Sequence, residues 1–219
     1  MLKLTPSFFA NDEPRILCLG AHCDDIEIGC GGLIGQVARS YPRAIIDFVV
    51  FSSNEVRRAE TEAAISKLLG GLEPNSLQVS DFRNSYFPSQ FAAIKDYFED
   101  LKRGKNPELV LTHYRDDRHQ DHRLVSDLTW NTFRNHAILE YEIPKYDGDI
   151  GNPNTYIPLD KTVVEERIRC LMDCFPSQAS REWFNDETFR ALMRIRGIEC
   201  NSESGYAEAF FGRKLRLDI

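Results

Sequence analysis

Two alternating periodicities constrain the fold of this chain more than any other feature. Short apolar runs at Arg15–Gly20, Ala44–Phe51, Leu77–Val79 and Glu108–Thr112 read as strands. Each is followed by a longer stretch with apolar residues at helical spacing: Ile26–Ser40, Val56–Leu69, Ser89–Lys102 and Asp121–His136. Repeated strand-then-helix order is the mark of a parallel sheet covered by helices on both faces. The expectation is therefore an α/β fold, a Rossmann-like three-layer α/β/α arrangement around a mainly parallel sheet. Ile138–Ile143 reads as a further strand, Lys161–Cys174 and Asp186–Arg196 as helices, and Tyr206–Phe211 as a last strand. Between them, Pro144–Pro158 is rich in Gly, Asn, Asp and Pro and reads as a long loop of the kind that walls binding sites.

At 219 residues the chain fits one domain, 1–219, with its C-terminal third completing the site. A formal net charge of -7 argues against nucleic acid as the main partner, because phosphate binding needs a basic surface. No run of eighteen apolar residues is present for a membrane span, and the first residues do not read as a signal peptide. The six cysteines form no CxxC pair, which fits reduced thiols and a cytoplasmic location. Cys170 and Cys174, four apart on a helix, are better read as packing than as a metal pair.

The chemistry is concentrated in two segments. The first strand ends at Gly20 and runs into His22, Asp24 and Asp25; the fourth runs into His113, Asp116, Asp117, His119, Asp121 and His122. Four of the five histidines lie there, and only His136 lies elsewhere. Imidazole and carboxylate together are the ligand set of a catalytic zinc or a similar divalent ion, which needs three protein ligands and one open position. His22 and Asp25 are three apart at a strand-to-helix turn, and His119 and His122 are three apart at a helix start, so each pair can face one point. If the two strands are sheet neighbours, both loops emerge at one edge. Taken singly, these residues have plainer readings: a hydrogen-bonded histidine, or an Asp-Asp pair acting as helix N-cap. Gly29, Gly31 and Gly32 do not form a dinucleotide-binding GxGxxG loop, and the acids at its mouth would repel a pyrophosphate.

The stretches AHCDDIEIGCGG and DRHQDH resemble the paired AHPDD and HPDH motifs of the LmbE/PIG-L family of zinc-dependent N-deacetylases, which act on N-acetylglucosamine conjugates. SSNEVRRAETEAAISKLLG is similar to the family's turn and arginine-bearing helix, and RGIECNSESGYAEAFFGRK to its C-terminal strand. The resemblance spans nearly the whole chain apart from 144–158. Cys23 and Gln120 stand at spacer positions where the family usually has proline. The resemblance implies that His22, Asp25 and His122 hold Zn2+ or another divalent transition metal. It further implies that Asp24 is the general base, His119 the protonated imidazole that stabilises the oxyanion and protonates the amine, and Asp121 the residue that orients His119. Arg58, with Arg57 as its alternative, would bind substrate; Asp117 would support the His119 loop, and His113 would be structural. Tyr146, Asp147 and Tyr156 on the long loop are weaker candidates for sugar contact.

The implied partner is a small-molecule N-acetylated sugar conjugate, and the sequence is compatible with a homo-oligomer. Two other functions stand beside deacetylation. A metal-dependent phosphoesterase would call for a second metal and bridging carboxylates. A non-catalytic binding module on the same fold would be expected to have lost Asp24 or a ligand.

Overall fold

In the computed structural model, which describes residues 2–10 and 12–214, every β-strand joins one seven-stranded sheet. The strands are β1 (Arg15–His22), β2 (Ile45–Ser52), β3 (Ser76–Val79), β4 (Leu109–His113), β5 (Ala137–Tyr141), β6 (Thr155–Pro158) and β7 (Ala207–Gly212). The helices are α1 (Asp25–Ser40), α2 (Glu55–Leu69), α3 (Phe91–Gly104), α4 (Gln120–Thr132), α5 (Lys161–Cys174) and α6 (Asp186–Glu199). Sheet order is β3-β2-β1-β4-β5-β7-β6, with β1 to β5 parallel and β7 antiparallel to both β5 and β6. The expected three-layer α/β architecture is what the chain adopts.

Burial explains the strand sequences. In β1, Ile16, Leu17, Cys18 and Leu19 are all at most 1% exposed, because helices cover both faces of a central strand. One apolar layer gathers α1, α2, α5 and α6 on one face, through Ile28, Ile34, Ile65, Ile168 and Met193. The other gathers α3 and α4, through Ile94, Phe98, Val125 and Leu128. Tertiary packing shortens one expected helix: α4 stops at Thr132, where the Phe133 N–H bonds the Thr129 carbonyl and the ring is fully buried.

The segment 144–158 is not wholly irregular. Thr155–Pro158 pairs antiparallel with β7 and forms the sheet edge. A four-residue edge strand that ends in proline carries little periodic signal, and proline is tolerated there because the outer N–H needs no partner. Among the described residues, no helix is long and apolar enough to cross a membrane.

The topology places the chemistry. From β1 the chain crosses to β2 and β3 on one side, then returns to β4 on the other. Neighbouring parallel strands whose connections diverge leave a crevice beyond their carboxyl ends, and α/β folds bind ligands there. His22 and His113 are the last residues of β1 and β4.

Candidate metal centre and active site

His22, Asp25 and His122 converge although His22 and His122 are one hundred residues apart. His22 Nδ1 lies 3.2 Å from His122 Nε2 and 3.4 Å from one Asp25 oxygen, and the other Asp25 oxygen lies 3.5 Å from His122 Nε2. Ligands about 2.0–2.1 Å from a tetrahedral ion stand about 3.3 Å from one another. The triangle has those dimensions.

The outer nitrogens decide what this cluster can hold. His122 Nδ1 meets Asp117 Oδ2 at 2.9 Å, and His22 Nε2 meets Asp121 Oδ2 at 3.2 Å. A carboxylate on the far nitrogen keeps the proton there. The inner nitrogens then face each other 3.2 Å apart beside a carboxylate, a spacing that calls for a cation between them. Without an ion a proton on His22 fills that place; a divalent ion would displace it and be held by both imidazoles and Asp25, so the residues fit a divalent metal. The same logic governs charge. Burial acts to lower the His22 pKa, but the carboxylates of Asp121 and Asp25 push it up to about 9. Burial takes His122 down to about 4, in the neutral form a ligand needs. Asp25 stays well below the usual carboxylate range because His122 and His113 outweigh the cost of its burial.

Asp24 precedes the first turn of α1 in a left-handed conformation, φ 98°, costly for a residue other than glycine. Its carboxylate makes no N-cap bond, so the plain capping reading does not hold; it pairs with Arg57 Nη2 at 2.9 Å. Burial raises the Asp24 pKa to about 7, a rise that Arg57 moderates. Arg57 also donates to the Cys23 carbonyl. Arg58, the expected substrate residue, turns away and donates to the Val79 carbonyl. The helix start selects between them: the Asn54 side chain caps the Arg57 N–H, which fixes the α2 register and turns Arg57 toward Asp24.

The second segment contains one correction. Asp121 does not orient His119 with its carboxylate. That group accepts from the Ser85 and Phe87 N–H groups at 2.6 and 3.1 Å and faces His22. It is the Asp121 backbone N–H that meets His119 Nδ1, at 3.3 Å, which places the His119 proton on Nε2. Burial, then the His22 charge, lower the His119 pKa, so a lone imidazolium is not its resting form. One ring nitrogen each of His22, His119 and His122 lies within 4.8 Å of the others, so His119 borders the cluster. His113 lies behind it, stacked on His122 at 4.0 Å between ring centroids and accepting from the Ala21 N–H at 2.9 Å. A second grouping, Asp25, His113 and His122, shares His122 with the first. With Nδ1 held by Asp117, His122 has one nitrogen free, which serves one ion.

Sequence reasoning missed Lys145. Its ammonium sits 3.0 Å from Asp117 Oδ2 and 2.5 Å from Asp149, so the long loop is tied to the metal cluster's support. Tyr146 and Asp147, next to it, are exposed. It also missed Glu27, buried one turn past Asp24 and pushed by burial up to about 8.

Residues 17–133 match the family model described as PIG-L, GlcNAc-PI de-N-acetylase. The chain belongs to the PIG-L family. It is 31% identical over 145 residues, 62% of this chain and 77% of the relative, to the uncharacterized deacetylase YaiS of Escherichia coli strain K12. Two solved structures share the fold at low identity. N,N'-diacetylchitobiose deacetylase from Pyrococcus horikoshii matches with a TM-score of 0.69 and 19% identity over 93% of this chain and 84% of that one. GalB, a 4-carboxy-2-hydroxymuconate hydratase from Pseudomonas putida, matches with a TM-score of 0.68 and 18% identity over 94% and 98%. Identities this low speak for the fold alone.

Proposed function

We propose that this PIG-L family member is a metal-dependent hydrolase that removes the acetyl group from an N-acetylated amino sugar, releasing acetate and a free amine. The observation that carries the reading is the convergence of His22 Nδ1, His122 Nε2 and the Asp25 carboxylate, with the carboxylate of Asp24 beside them. A donor set of two imidazoles and one carboxylate suits zinc or a similar transition ion. When bound, that ion supplies a Lewis acid that acidifies water and polarises the acetyl oxygen.

The chain's own groups do the rest. Asp24, with its pKa raised to about 7, takes a proton from the attacking water as its oxygen bonds the acetyl carbon. Arg57 holds the Asp24 carboxylate in place and favours its ionised form against the cost of burial. Negative charge develops on the acetyl oxygen, and the His119 Nε2–H is the donor available to it. When the C–N bond breaks, the departing nitrogen takes the proton that Asp24 accepted from the water, either directly or through His119, which takes that proton on one side as it gives one up on the other, and acetate leaves. Asp121 and Asp117 hold His22 and His122 in the binding tautomer. Lys145 carries the long loop to this support, which makes Tyr146 and its neighbours candidates to meet the sugar conjugate.

Acetate release from a panel of N-acetylglucosamine conjugates, with and without chelator, tests the proposal. Release that stops with chelator and returns with zinc supports it. Protein that binds zinc but releases no acetate across the panel overturns it, and hydration of an unsaturated acid would then be assayed, since the GalB fold is shared.

A further inference from the structure

We propose that Arg167 and Glu208 are positioning residues for the metal centre, inserted into a break in α1 so that its first turn holds Asp24 and Asp25 at the correct angle. The inference rests on the metal-centre reading and extends it into the C-terminal third, beyond the stretch the family model matches.

Helix α1 is two helical pieces joined at Cys30, whose φ of -147° and ψ of 18° are not helical. In an unbroken helix the Gly32 N–H would bond the Ile28 carbonyl, and the Leu33 N–H the Gly29 carbonyl. Here Glu208 Oε1 accepts from the Gly32 N–H at 2.6 Å and Glu208 Oε2 from the Leu33 N–H at 2.7 Å. On the other side of the break, Arg167 Nε donates to the Glu27 carbonyl at 3.2 Å, and Arg167 Nη2 donates to the Ile28 carbonyl. The two side chains join each other at 3.1 Å and are each 4% exposed. A carboxylate thus closes the free N–H groups of the second piece, and a guanidinium closes the free carbonyls of the first. A buried polar group left without a partner is costly, so the break persists only with both partners in place.

The glycines around the break fit this role. A Cβ at Gly32 would stand 2.7 Å from Glu208 Oε1, in the space the carboxylate uses. A Cβ at Gly29 would stand 2.1 Å from Tyr141 Cδ2. The ring behind Gly29 is fixed in turn, because the Tyr141 hydroxyl donates to the Leu19 carbonyl at 2.6 Å. The first piece of α1 is therefore gripped by Tyr141 on one side and by the ion pair at its end. Asp25 is its first residue and Asp24 immediately precedes it. A shift of this short turn moves the general base and one metal ligand together.

The test compares Glu208→Gln with Leu101→Ala, a core truncation at the end of α3. Glutamine offers one acceptor oxygen to two N–H groups. Zinc affinity, measured by competition with a chromophoric chelator, is expected to weaken about tenfold in Glu208→Gln, as for loss of a ligand's supporting partner. Amide hydrogen exchange of segment 24–33 is expected to speed up in the same variant. Leu101→Ala is expected to lower Tm with neither change. Where acetate release is measurable, Glu208→Gln lowers kcat more than it raises KM. Should Glu208→Gln fail to fold, Gly32→Ala, which displaces the carboxylate, takes the same three readouts. Equal loss of zinc affinity in the Leu101 variant at matched Tm, or unchanged exchange in segment 24–33, overturns the proposal. Wild type that binds zinc but releases no acetate sinks the deacetylase reading alone. Wild type that binds no zinc sinks the metal reading, and the exchange comparison still decides whether the pair positions the turn.

Discussion

Replacing Asp24 by asparagine separates the chemistry from the scaffold. The residue has a left-handed backbone with φ 98°, and asparagine tolerates that region better than alanine, for which it costs roughly 1–2 kcal/mol. The amide oxygen of the introduced asparagine can still accept from Arg57, whose Nη2 stands 2.9 Å from Asp24 Oδ1. The triangle of His22, Asp25 and His122 does not include Asp24, so zinc affinity is expected to stay within about threefold. The proton acceptor is lost. General base catalysis contributes roughly 100- to 10,000-fold, or about 3–5 kcal/mol of barrier. The expected result is therefore kcat for acetate release down by at least about 100-fold, with zinc stoichiometry and Tm close to wild type. The assay is enzyme-coupled acetate detection at saturating substrate, paired with zinc titration of the chelated protein. Retention of a third of the activity would remove Asp24 from its role. A parallel collapse of zinc affinity would mean that Asp24 is a ligand, and that the triangle is misassigned.

The same geometry sets four further outcomes. The acid limb of the kcat/KM profile is expected near pH 7, because the base must be ionised and its pKa is raised to about 7. Removing the Arg57 charge raises that pKa further, so Arg57→Gln moves the limb upward by about one unit while Arg58→Gln leaves it in place; equal profiles would contradict the assignment. Asp117→Asn weakens zinc binding by about 10- to 100-fold, read by chelator competition, since it frees the His122 tautomer. Gly29→Ala forces a methyl into the Tyr141 ring and lowers stability by about 1–3 kcal/mol, a Tm fall of roughly 3–10 °C; an unchanged Tm would show that the ring moves freely.

Much of the fold was legible because the central strands are covered on both faces and therefore read as unbroken apolar runs. The metal cluster was legible because its residues sit at the ends of such runs, where Gly20 and Thr112 hand over to His and Asp. What escaped notice was set by contacts across long sequence separations or by register. Arg57 and Arg58 are adjacent, and only the Asn54 cap decides which faces Asp24. Sequence proximity pairs Asp121 with its near neighbour His119, yet its carboxylate goes to His22 and to two N–H groups 34 and 36 residues upstream. Glu208 reaches α1 over 176 residues, so no local pattern announces it. Gly29 and Gly32 stood out as glycines, and their reason is close approach by Tyr141 and Glu208 rather than a phosphate loop.

Every role assigned above depends on one divalent ion sitting among His22 Nδ1, His122 Nε2 and Asp25. Anomalous diffraction at the zinc edge from zinc-soaked crystals addresses it directly. A single strong peak about 2.0–2.2 Å from those three groups, absent in His122→Ala, is the predicted result. A peak held by Asp25, His113 and His122 without His22, or no peak in the crevice between β1 and β4, would contradict it.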